Sequence, residues 1–148
     1  MKIGFIGVGF MGRHMARHII DGGHEVTIYD INKSAAEDLL DHGATWAESP
    51  AEVSANNTLI FTSLPTPKDV EQIALGEGGI LSTANSGSTF FDLSTTDPET
   101  IKRISEKFAI KGVEVLDAPV SGGTTGAEKA TLCVLVGGEK KAYDKYKD

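Results

Sequence analysis

The 148-residue chain has one cysteine, one tryptophan and five prolines, and aromatic residues make up only 7% of it. A lone thiol, Cys133, excludes an internal disulfide framework. Its neighbours Leu132 and Val134 are apolar, so Cys133 is expected in the core and the expected setting is a reducing cytoplasm. The 14 basic residues form no block and are outnumbered by 21 acidic ones, for a formal net charge of −7, so no nucleic-acid partner is expected. No apolar stretch approaches the roughly 20 residues that cross a bilayer, and a β-rich run from Lys2 leaves no room for a signal peptide, so no membrane partner is expected. Internal repeats, low-complexity tracts and a second-domain boundary are also missing. What remains is one domain, 40% hydrophobic and 24% charged, large enough to bury about two-thirds of its unfolded surface.

The feature that organises the chain is its beginning. The apolar run Ile3, Phe5, Ile6 stops at Gly7, and Gly7, Gly9 and Gly12 follow at Gly-x-Gly-x-x-Gly spacing before a segment of helical periodicity starting at Met11. Gly7 suits a tight strand-to-helix turn, Gly9 a close approach of backbone to a pyrophosphate, and Gly12 close packing of helix on strand. The helix start offers unpaired N–H groups to phosphates. A second β-rich run, Val26 to Tyr29, closes on Asp30, about 20 positions beyond the glycines, where an acid grips the ribose hydroxyls of a dinucleotide. That carboxylate would repel a 2′-phosphate, so NAD is expected over NADP, although Asn32 and Lys33 are near enough to receive a phosphate. The alternative for Asp30 is a cap on the next helix.

Strand and helix signals alternate along the remainder, the pattern of an α/β fold with a mostly parallel, doubly wound Rossmann-type sheet and helices on both faces. Helices are expected from Met11 to Ile20 and from Lys33 to Asp41 (stopping near Gly43), after the Ser49-Pro50 cap, over Asp69 to Leu75, and after the Asp97-Pro98 cap with Ile101, Ile104 and Phe108 inward. Strands are expected at 58–64, 89–93, 113–117 and 131–136, and residues 140–148 read as a helix cut off in mid-course. Of the four histidines, His14 and His18 stand at i, i+4, a spacing that can bind metal, but no third ligand is in sight. They are read as solvated, His24 and His42 as turn residues, and no metal site is expected.

Five stretches in order, residues 4–12, Leu64-Pro65, Asp92-Leu93-Ser94-Thr95, Asp117-Ala118-Pro119-Val120-Ser121-Gly122-Gly123 and Val136-Gly137-Gly138, resemble the amino-terminal domain of the β-hydroxyacid dehydrogenases. That family includes 3-hydroxyisobutyrate dehydrogenase, tartronate semialdehyde reductase and, more distantly, 6-phosphogluconate dehydrogenase. The resemblance covers essentially all of residues 1–148. It implies a cofactor site made of Gly7, Gly9, Phe10, Met11, Gly12, Asp30, Leu64, Pro65 and Thr95, and a substrate loop at Ser121, Gly122 and Gly123. Thr95 also suits an ordinary helix-entry turn, and the Ser-Gly-Gly run a simple glycine turn. Asp69 stands where relatives often carry an asparagine, and Ala130 where they carry a glycine, a change expected to alter the local turn.

The reaction implied is hydride transfer between a nicotinamide cofactor and a small 3-hydroxy acid. In relatives a lysine within a Gly-x-x-Gly-x-Gly-x-x-x-Lys-x-x-Asn-Asn stretch moves the hydroxyl proton, and no such stretch occurs here. No catalytic residue is therefore expected in this chain. The resemblance implies a cofactor-binding half whose all-helical partner domain is absent, inactive alone and homo-oligomeric at full length. The other reading is a stand-alone dinucleotide-binding module.

Overall fold

The computed structural model of the protein describes residues 1–147. Its elements run β1 (Lys2–Ile6), α1 (Gly12–Asp21), β2 (Glu25–Tyr29), a 3₁₀ turn (Lys33–Ala36) leading into α2 (Glu37–Asp41), β3 (Thr45–Trp46), α3 (Pro50–Asn56), β4 (Leu59–Thr62), α4 (Pro67–Leu75), α5 (Ile80–Thr83), β5 (Thr89–Asp92), α6 (Pro98–Ile110), β6 (Glu114–Asp117), β7 (Val120–Ser121), α7 (Gly123–Glu128), β8 (Cys133–Val134) and α8 (Lys140–Tyr146). The first six strands form one parallel sheet in the order β3-β2-β1-β4-β5-β6. The order reverses at β1, so the loops after β1 and β4 flank a crevice at the carboxyl edge, where ligands bind in open α/β sheets.

Both faces of this sheet are apolar, because successive strand residues point to opposite sides and each side carries helices. Ile3, Phe5, Val26, Ile28, Leu59 and Leu116 pack with Ala16 of α1, Leu39 of α2 and Ala142 of α8. Ile6, Ile60 and Phe90 pack with Val53, Val70, Ala74, Ile80, Ile104 and Phe108 on the other side. Phe90 and Phe108 are fully buried with rings 5.4 Å apart, and each such side chain contributes roughly 1.5–3 kcal/mol.

Three helices start alike. Ser49, Thr66 and Asp97 each accept a backbone N–H three residues on, and each is followed by proline at the first helical position. The proline's fixed φ suits that position and its missing N–H loses nothing there. The Thr66-Pro67 start places α4 two residues earlier than periodicity alone suggests.

The carboxyl-terminal part departs most from expectation. The strand expected over 131–136 is antiparallel, not a further parallel strand. Val120 pairs with Val134 and Ser121 with Cys133, and the ladder continues through Leu135 N–H to Pro119 O (3.0 Å) and a reciprocal pair between Asp117 and Gly137. Nothing covers this outer strand among the described residues: Val134, Leu135 and Val136 are exposed, and Cys133 is an exposed thiol, not a core one. Its apolar neighbours belong to a sheet edge. Helix α7 was not anticipated, because two of its six residues are glycines. His18 is half-buried instead of solvated, its Nε2–H donating to Ala127 O and Glu128 O at 3.0 Å each and tying α1 to the end of α7. His42, the residue that ends α2, pairs through Nε2 with Asp21 at 2.6 Å.

Candidate functional site

The turn after β1 is set by what surrounds it. Gly7 has φ +91°, and a Cβ there would meet the Ser63 carbonyl of the loop after β4, so the two crevice loops touch at this point. At Gly12 a Cβ would run into the Gly7 carbonyl, which lets α1 start directly on the strand's end. Gly9 differs: its Cβ would point into open space, with nothing within 4 Å. Among the described residues no protein acceptor takes the N–H groups of Gly9, Phe10, Met11 or Gly12, and Met11 gives the ten-residue helix no side-chain cap. Unpaired donors at the positive end of a helix dipole, beside a space that a side chain would fill, make a cradle for an anion.

Asp30 sits at the end of β2 and braces this cradle. Its Oδ2 accepts the Val8 N–H and its Oδ1 the Asn32 N–H, both at 2.8 Å. It is therefore no helix cap; Asn32 caps the following turn through Ser34. Each Asp30 oxygen keeps a lone-pair direction for a hydroxyl donor. Ile31 beside it is 90% exposed. Lys33 is directed elsewhere, with its ammonium 5.1 Å from the Trp46 ring centroid and 3.6 Å from Glu48.

Across the crevice, Leu64 is half-buried and Pro65 exposed. The Leu64 N–H donates to Ser94 Oγ at 2.9 Å. Asp92, fully buried at the end of β5, organises this wall: Oδ1 accepts from Thr62 Oγ1 (2.8 Å) and Ser94 N–H (3.1 Å), and Oδ2 from Thr96 Oγ1 (2.5 Å). The clamp fixes the turn that presents Thr95 to solvent. Asp69 is engaged by Thr66 at the start of α4, through Thr66 Oγ1 to Oδ2 at 2.6 Å. Asp92 and Ser94 lie in a stretch quoted for the family resemblance, yet their roles depend on register between strands thirty residues apart and are not visible in the linear pattern.

Ser121, Gly122 and Gly123 are exposed where β7 turns into α7, and Gly122 takes φ +139°. Upstream in the same motif, Asp117 pairs in register with Asp92. Burial, and then the Asp92 charge, raise the Asp117 carboxyl above the usual carboxylate range. Its Oδ1 is buried without a hydrogen-bond partner in the structure. Ala130 takes a left-handed backbone (φ +54°) that a glycine would favour, so alanine there is strained. No group of three or more His, Cys, Asp or Glu side chains that could hold a metal occurs among the described residues.

Strand order, open glycine cradle and acid at the neighbouring strand end define an NAD(P)-binding domain of the Rossmann type. The family follows from comparison with known proteins. The chain belongs to the family described as the NAD binding domain of 6-phosphogluconate dehydrogenase, whose profile matches residues 2–148. It is 42% identical over 96% of its length to an uncharacterized oxidoreductase, YkwC, of Bacillus subtilis, covering 49% of that protein. It is 36% identical over 95% of its length to the 3-hydroxyisobutyrate dehydrogenase of Pseudomonas aeruginosa, covering 47% of that protein. A solved structure, Psf3 in complex with NADP+ and 2-OPP, superposes with TM-score 0.92 at 29% identity, over 98% of this chain and 51% of that one. The chain thus spans about half the length of the relatives it matches. No helix among the described residues is long and apolar enough to cross a membrane.

Proposed function

We propose that the chain is the cofactor-binding part of a longer oxidoreductase that moves a hydride between NAD and a small 3-hydroxy acid. The observation that carries this reading is the set of four unpaired N–H groups at the open Gly9 cradle, next to the Asp30 carboxylate. The N–H groups of residues 9–12 would hold the diphosphate, and the free lone pairs of Asp30 the adenosine ribose. Leu64, Pro65 and Thr95 would line the nicotinamide side. When bound, the nicotinamide supplies the hydride donor or acceptor.

Two features favour NAD over NADP. Asp30 places negative charge where a 2′-phosphate would sit, and its neighbour Ile31 offers no cation. Lys33 is held between Trp46 and Glu48, so reaching a phosphate would break both contacts. Ser121 Oγ with the Gly122 and Gly123 N–H groups would hold the substrate carboxylate, since they combine donors with little bulk. The group that moves the hydroxyl proton would come from the remainder of the longer protein, as would most subunit contacts.

Titration with NADH and with NADPH tests the cofactor reading: tighter NADH binding is expected, and tighter NADPH binding contradicts the role given to Asp30. The isolated chain is expected to bind cofactor without oxidising 3-hydroxy acids. Turnover by the chain alone would contradict the assignment of the proton-transfer group to another segment.

A further inference from the structure

Arg13, the second residue of α1, is folded back over the glycine loop instead of along the helix surface. Its Nε donates to the Gly9 carbonyl at 3.2 Å, and its guanidinium carbon lies 5.5 Å from the centre of the Phe10 ring. The other arginines have carboxylate partners: Arg17 is 4.0 Å from Asp21, and Arg103 is 2.9 Å from Glu71. Arg13 has none within ion-pair distance among the described residues, in a chain where acids outnumber bases by 21 to 14. One edge of its guanidinium is thus fixed to the loop, and its two terminal amino groups have no protein acceptor. Phe10, 79% exposed, serves as the surface on which that group rests.

An arginine pinned to the loop without a counter-charge leaves two amino groups directed at no protein acceptor, a disposition suited to an incoming anion. Its planar fork matches two phosphate oxygens, and anchoring through Nε reduces the side-chain freedom lost on binding. The four unpaired N–H groups of residues 9–12 adjoin the same loop. They carry only partial charge, about half a unit for the whole helix end, whereas a dinucleotide diphosphate carries nearly two.

Resting on the dinucleotide reading above, we propose that Arg13 is a diphosphate-binding residue, supplying the full positive charge that the glycine cradle lacks, with Phe10 as the platform that holds its fork in place. Phe10 then acts through Arg13 as a positioning residue, and its exposed ring has a purpose in the free protein.

The test uses ADP-ribose, which carries the diphosphate without nicotinamide, and adenosine, which carries neither. Affinities of the unsubstituted chain, Arg13→Met and Arg13→Lys are measured by calorimetry for ADP-ribose and NADPH and by ligand-observed NMR for adenosine. Methionine keeps an unbranched apolar stem for Phe10 and removes the charge. A loss of tenfold or more for ADP-ribose in Arg13→Met, partial recovery in Arg13→Lys and unchanged adenosine binding are expected. Unchanged ADP-ribose affinity in Arg13→Met, or an equal loss for adenosine, overturns the proposal while leaving the dinucleotide site intact. A loss seen for NADPH but not for ADP-ribose also overturns it, because the guanidinium would then serve a 2′-phosphate. Failure of the unsubstituted chain to bind ADP-ribose contradicts the dinucleotide site itself.

Discussion

The first crossover, β1-α1-β2, and the last thirty residues are built from similar kinds of sequence, apolar runs punctuated by glycine, and end in opposite conditions. In the crossover the apolar strand residues are buried on both sheet faces, and the glycine loop is braced by Ser63 on one side and Asp30 on the other. In residues 118–147 the outer strand is exposed, and beyond Val120 only Gly126, Ala127 and Ala142 are buried. The difference is one of partners, not composition. A strand between two others and beneath two helix layers is over-determined, whereas an outer antiparallel strand has one neighbour and an unpaired edge. The proposed site straddles the two: the Gly9 cradle lies in the crossover, and the Ser121-Gly122-Gly123 loop stands exposed in the terminal segment.

The comparison predicts where substitutions hurt. The largest effect is expected for Gly12→Ala, whose Cβ meets backbone that cannot move aside; a loss of about 3 kcal/mol in urea unfolding is expected. Gly9→Val should separate binding from stability within the same loop. Its side chain enters open space, so the unfolding midpoint should barely move, yet NADH affinity should fall about a hundredfold, or ~2.7 kcal/mol. A large stability loss there would erase the distinction drawn between Gly9 and Gly12.

In the terminal segment the expected change has the other sign. Ala130→Gly relieves a left-handed alanine costing about 1–2 kcal/mol, offset by about 0.5–1 kcal/mol of glycine chain entropy, so a net gain of about 0.5–1 kcal/mol is expected in unfolding experiments. The smallest effect is a pH dependence. Asp117 is raised by burial and by Asp92, so above the ordinary carboxylate range the folded chain holds this proton more firmly than the unfolded chain. Its contribution to stability is therefore fully present at low pH and falls as pH rises through the raised value. Asp117→Asn should gain on the parent over that interval, seen as the difference between unfolding midpoints from pH 3.5 to 7. A difference that does not vary with pH would remove Asp117 from the titrating groups.

The parallel sheet and its cradle were legible in the sequence because each signal is local: an apolar run, a glycine at fixed spacing, an acid closing the next strand. The Ser49-Pro50 and Asp97-Pro98 starts were legible for the same reason. What escaped depends on tertiary pairing. Cys133 has a core-like neighbourhood in sequence and an exposed one in space, since hydrophobicity does not say whether a strand is internal or at an edge. The His18 link to α7 and the contacts of Asp92 with Thr62 and of Ser94 with Leu64 join positions far apart in the chain, while the Arg13 fold-back and the Asp92 bonds to Ser94 and Thr96, though local, depend on side-chain directions that hydrophobic patterning does not report. β3 is too short, at Thr45–Trp46, to leave a pattern.

The most direct measurement is a map of backbone amide shifts in the 148-residue chain on titration with NADH. Saturable shifts concentrated at the Gly9, Phe10, Met11 and Gly12 amides, with Val8 and Asn32 responding through Asp30, are predicted. Shifts absent from these amides and clustered elsewhere on the domain would contradict a dinucleotide held by the bare backbone of the first crossover.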